Sequence, residues 1–196
     1  MKMDTELYCE QMEEIIHRDK LLRELITGKI TLGSDVYDYE VFALNMRKIL
    51  ELIAFASLIA SKDKYSEEYK NFEVHYKAKA ILDDIEKIHP QFFPIPAKIT
   101  NKKDGTRNLG INQESNPLTK DEFKELYDKC TAIIHAWKPY KKADRKVDFR
   151  LLPLEWLNKI KELLNTHYVH LPNDKGVWLC LMMDPDKPHV YTLEKA

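Results

Sequence analysis

The sequence predicts an α+β fold: a bundle of about five helices followed by a small three-stranded antiparallel sheet. Apolar residues recur at the helical period through most of residues 3–165, and from Thr166 onward the period falls to two. The division that follows is a helical bundle over 1–165 with a long loop at 91–118, and a C-terminal antiparallel β appendage over 166–196.

The first helix is expected over about 3–27, where Tyr8, Met12, Ile15, Leu22 and Ile26 share a face and Gly28 offers a C-cap. Residues 39–62 form the most hydrophobic helix, apolar nearly all round, which puts it at the centre of the bundle. A third helix is expected over 66–89, stopped by Pro90. The following interval holds Pro94, Pro96 and an Asp104-Gly105 turn signal, with room for a hairpin built from "AKIT" and "TRNLGI". Thr119 and Glu122 form a capping box for the fourth helix, whose apolar stripe runs from Phe123 to Trp137 before Pro139 ends it. A fifth helix starts at Pro153 and runs to about Asn165. "THYVHL", "GVWLCLMMD" and "HVYTLEK" then read as strands, the middle one apolar on both faces and so expected to be covered on both.

Composition excludes several classes. Lys plus Arg (31) nearly balances Asp plus Glu (32) in 196 residues, so any nucleic-acid site must be a local patch. Three cysteines, Cys9, Cys130 and Cys180, lie far apart with no CxxC pair, which fits a reducing cytoplasm. The acidic N-terminus lacks the apolar core of a signal peptide, and "ILELIAFASLIA" is too short to span a bilayer, so a cytoplasmic protein with no membrane partner is expected. No P-loop, GxGxxG, GxSxG or HExxH motif is present, and no cofactor is expected. His167 and His170, three apart on a strand, point to opposite faces and cannot chelate one ion, so no metal site is expected either.

Two places could carry chemistry. On the fourth helix Asp128, Thr131 and His135 form a polar row off the apolar stripe, with Lys129 displaced toward the stripe's far edge. Directly after it comes a basic run, Lys138, Lys141, Lys142, Arg145, Lys146 and Arg150, where cations can neutralise phosphates and Trp137 and Tyr140 can stack on unpaired bases. A histidine at its edge can move protons near neutral pH; the bland alternative is a solvated loop complementing a helix dipole. On the central helix Arg47 and Glu51 stand four apart. Either they make a structural ion pair, with partners elsewhere because Arg before Glu is the weaker helical order, or Arg47 reaches the cleft of His135.

An early helix bearing "NMRKILELIAF" and a later one bearing "YDKCTAIIHAW" and ending in histidine resemble the HEPN superfamily. The resemblance implies a helical bundle, often dimeric, of toxin–antitoxin, phage-defence or RNA-processing systems, and in many members a metal-independent ribonuclease. Its motif is an arginine followed after four to six residues by histidine. The family histidine corresponds to His135; at the arginine spacing stand Lys129 and Asp128, and lysine keeps the charge without the planar fork. The expected function is thus a HEPN-like metal-independent ribonuclease or RNA-binding protein, with RNA as partner, an antitoxin as a protein partner, and a homodimer as the assembly. His135, Lys129, Asp128, Arg47 and Glu51 are the candidate catalytic residues. From a different class, a non-catalytic interaction or adaptor protein could bind a partner through the edge of its terminal sheet.

Overall fold

The computed structural model describes residues 2–69, 78–101, 107–136, 147–183 and 186–193. Its helices are α1 (Lys2–Ile26), α2 (Asp35–Ala60), α3 (Lys62–Glu68), α4 (Ala78–Ile88), α5 (Lys120–Ile134) and α6 (Pro153–Leu164); its strands are β1 (Ile95–Asn101), β2 (Arg107–Ile111), β3 (Thr166–His170), β4 (Val177–Leu181) and β5 (His189–Leu193).

α1 ends as its sequence predicts. Gly28 takes φ +69, its N–H reaches the Leu25 carbonyl at 3.1 Å and the Lys29 N–H reaches that of Glu24 at 2.9 Å, the paired bonds of a Schellman cap. α2 begins at Asp35, earlier than the expected residue 39. Asp35 and Asp38 place negative charge in its first turn, and Asp38 also accepts from the Leu32 N–H at 2.7 Å, tying the preceding turn to the helix. Of the single helix expected over 66–89, residues 70–77 lie outside the described residues; on either side stand α3, which stops at Tyr69 with extended backbone (φ −114, ψ 105), and α4. Among the described residues the helices number six.

α1 and α2 run antiparallel, with Lys62 just past the end of α2 bonded to Asp4 at 2.9 Å and Arg18 bonded to Asn45 at 2.6 Å. α4 and α5 are also antiparallel, their register marked by Lys79–Asp128 (2.7 Å), Lys124–Asp83 (2.6 Å) and Lys120–Glu86. Such surface bridges add little stability each, but their alternating order matches one alignment of the two helices.

The sheet has five strands, not three, in the order β2-β1-β3-β4-β5, all neighbours antiparallel. Its two additional strands are the hairpin in the 91–118 interval, joined to β3 through Ile95–Tyr168 and Pro96–His167. The two faces of β3–β5 differ sharply. His167, Val169, Trp178 and Cys180 are at most 3% exposed, and Tyr8 of α1 bonds His167 and packs edge-on to Trp178. The opposite face carries the cross-strand row Tyr168–Leu179–Tyr191, and Tyr191 is 43% exposed. β4, expected to be covered on both sides, is fully covered on one among the described residues; on its other face Leu179 is buried but Val177 and Leu181 are only partly so. One hydrophobic core runs from Tyr8 and Met12 through Ile53, Phe123 and Trp156 to Trp178.

Candidate functional site

α2 is central because one broad face of it is buried: Phe42, Ala43, Met46, Ile49, Leu50 and Ile53 lie within about a third of the helix circumference and are all buried, while Leu44 on the far side is 42% exposed. Arg47 and Glu51 interrupt that surface where α5 crosses it. The Arg47 Nε donates to Glu51 Oε1 at 3.0 Å, its Nη2 donates to the Tyr127 hydroxyl at 3.0 Å, and that hydroxyl donates to Glu51 Oε1 at 3.3 Å. The guanidinium carbon also lies 4.9 Å from the Tyr127 ring centre. Burial works against the arginine's charge, but Glu51 and Tyr127 outweigh it and hold the group above its ordinary pKa. Burial pushes the Tyr127 hydroxyl up, so it stays a donor at neutral pH.

His135 is the C-cap of α5, exposed, with extended backbone (φ −88, ψ 136). The helix stops here rather than running to Trp137 for a steric reason: continued to Pro139, it would set the proline ring against the carbonyl of His135. No hydrogen bond or ion pair engages the His135 side chain among the described residues. Its expected companions are engaged elsewhere. Asp128 holds Lys79 at 2.7 Å, and Lys129 holds Glu125 at 2.5 Å. Arg47 is anchored at Tyr127, eight residues before His135 in the chain, which is about 12 Å along a helix axis. Arg47, Glu51 and Tyr127 thus come together, and among the described residues no hydrogen bond or ion pair joins His135 to them, to Lys129 or to Asp128.

Of the basic run, Trp137, Lys138, Tyr140, Lys141, Lys142, Arg145 and Lys146 lie outside the described residues. Arg150 is described, at φ 64, and its guanidinium is 3.0 Å from Glu122 and 3.6 Å from Glu125, over the ring of Trp156 at 5.5 Å. Half exposed, it is held by carboxylates in a structural knot. In that knot Lys159, 8% exposed, meets Glu122 at 3.2 Å, Asn116 Oδ1 at 2.8 Å and the Pro117 carbonyl at 3.3 Å. These three contacts, with a fourth to the Asn116 carbonyl at 3.3 Å, are what permit a buried lysine.

Two other histidines are structural. His167 donates from Nδ1 to the Leu164 carbonyl at 2.7 Å and accepts at Nε2 from the Tyr8 hydroxyl at 2.7 Å; burial lowers its pKa to about 4. His89 pairs with Ser61 at 3.1 Å and is likewise lowered by burial to about 4. His170 lies on the opposite face of β3 from His167, as the strand period requires. Among the described residues no group of three or more His, Cys, Asp or Glu side chains converges as a metal-binding set.

No family model, curated protein or solved structure matches the chain. Function therefore has to be argued from the side chains themselves. The residues that sequence reading missed are Tyr127 and Lys159. Each sits on an amphipathic helix at a position whose spacing reads as core or as surface, and only the approach of another element reveals its polar partners.

Proposed function

We propose that this chain binds RNA and cleaves it without a metal ion, as a HEPN-like ribonuclease acting through His135, in a toxin–antitoxin or phage-defence setting. The observation that carries the reading is the position of His135: exposed, with no partner among the described residues, at the end of α5 and immediately before the Lys/Arg run at 138–146. By contrast, burial holds His89 and His167 neutral, unsuited to proton transfer near pH 7.

In this reading His135 takes the proton of a ribose 2′-hydroxyl. The 2′-oxygen attacks the adjacent phosphorus, the bond to the 5′-oxygen breaks, and that oxygen leaves with a proton from water or from His135 of a second copy. The products are a 2′,3′-cyclic phosphate and a 5′-hydroxyl. The phosphate charge is met by lysines of the 138–146 run, since Lys129 and Arg47 already hold carboxylates. Arg47, Glu51 and Tyr127 then serve to fix α5 against α2.

The test is incubation of wild-type and His135→Ala protein with mixed cellular RNA, with and without EDTA, read as fragments on a gel. Cleavage that survives EDTA and is lost in the variant is the expected result; cleavage retained by the variant, or none by wild type, rejects the mechanism. A second reading has its own observation: β5 is one edge of the sheet, the kind of strand to which a protein partner can add a strand of its own. Salt separates the two, because binding through phosphates weakens steeply with ionic strength and strand addition does not.

A further inference from the structure

Two cavities share a wall on α6. The first, about 170 Å³, is apolar and lies between Ile15 and Ile16 of α1, Ile160 and Leu164 of α6, and Met182 and Met183 after β4. The second, about 340 Å³, is polar and is lined by the carboxamides of Asn112, Asn158 and Asn165 together with Thr166. Lys161 and Asn165 line both. A cavity of roughly 150 Å³ lined by aliphatic side chains accepts a benzene-sized molecule, so the first is large enough for an apolar group of about six carbons.

The charges at the shared wall decide what the other end of such a molecule must be. Two acids belong to the lining, and both are engaged: Asp19 by Arg23 Nε at 2.8 Å, and Glu162 by the backbone N–H of Asn116. Arg23 also donates from Nη1 to Asn158 Oδ1 at 3.1 Å, which leaves the Asn158 NH₂ as the group available to a ligand, and that group is a donor. Lys161 is exposed and has no ion-pair or hydrogen-bond partner for its ammonium among the described residues. Lys161 is thus the lining cation without a carboxylate of its own among the described residues, and with the Asn158 NH₂ and the carboxamides of Asn112 and Asn165 beside it, it suits an anionic, acceptor-rich head.

We propose that this double cavity binds a small amphiphilic carboxylate, with the apolar end between α1 and α6 and the carboxylate at Lys161 and Asn158. The site is independent of His135 and of RNA, and Met183, 58% exposed, stands at its mouth.

The test uses hexanoate and the neutral hexanol as probes, with binding read from methyl NMR shifts of Ile15, Ile16, Ile160 and Met183. Hexanoate is expected to titrate these methyls saturably at one site. Lys161→Glu is expected to weaken hexanoate at least tenfold while changing hexanol by less than about twofold, the loss of one charge-assisted contact being about 1.4 kcal/mol or more. Ile16→Trp, which fills the apolar end, should weaken both probes. The proposal is overturned if hexanoate does not saturate these methyls. It is equally overturned if Lys161→Glu weakens the acid and the alcohol alike, which would leave an apolar crevice with no head-group site, or if neither variant changes hexanoate binding.

Discussion

Tyr8 and His167 show how much a single buried pair can decide. Tyr8 hydrogen-bonds Nε2, the Leu164 carbonyl accepts from Nδ1–H, and complete burial disfavours the charged ring. The folded pKa lies near 4, below the ordinary 6.5, so the unfolded chain binds more protons between those values. This contribution is complete above pH 6.5 and is lost as pH falls toward 4; a shift of this size corresponds to roughly 3 kcal/mol. His89 acts in the same direction. Urea midpoints measured from neutral pH down to about pH 5 should fall steadily, before most carboxylates titrate; a flat profile over that range would show that His167 is not locked neutral. At this scale His135 was legible from its place off the apolar stripe. Its separation from Arg47 was not, because sequence spacing says nothing about where along α5 another helix crosses.

Element ends were the most legible features, because capping is local chemistry. Thr119 accepts from the Glu122 N–H at 3.2 Å while the Glu122 side chain accepts from the Thr119 N–H at 3.1 Å, the reciprocal bonds its sequence announces. Thr119→Ala should cost about 1 kcal/mol. Gly28→Ala should cost about 1–2 kcal/mol through its positive φ alone, since a Cβ there would meet nothing within 4 Å. The sites are on different elements, so a double variant measured by urea unfolding should show nearly the sum of the two losses; a neutral Gly28→Ala would mean that the Schellman cap is absent. Two boundaries escaped the pattern. The end of α3 at Tyr69 lies within one continuous helical periodicity, and the early start of α2 depends on Asp38 reaching back to Leu32.

At the scale of the molecule, helices and sheet share one core, with Tyr8 of the first helix packed on Trp178 and His167 of the last strands. Trp156 lies under the bundle and Trp178 under the sheet. Unfolding followed by tryptophan fluorescence and by far-UV circular dichroism should therefore give coincident urea transitions. Two separated transitions would show that sheet and bundle melt independently. The same arrangement explains the unequal faces of β3–β5: the layer of helices lies against one side, and Tyr191 and Leu193 on the other side remain exposed.

By itself the sequence determined the helical and strand periods, the caps, the α+β class and the place of a histidine just before a cationic run, all of which depend on neighbours within a few residues. The tertiary structure alone decided that the hairpin at 95–111 joins β3, that Tyr127 completes the Arg47–Glu51 pair, and that Lys161, without a partner among the described residues, stands between an apolar and a polar cavity. These are meetings of residues tens of positions apart. Which partner a polar side chain finds is set by the packing of whole elements against one core, and no local pattern encodes it.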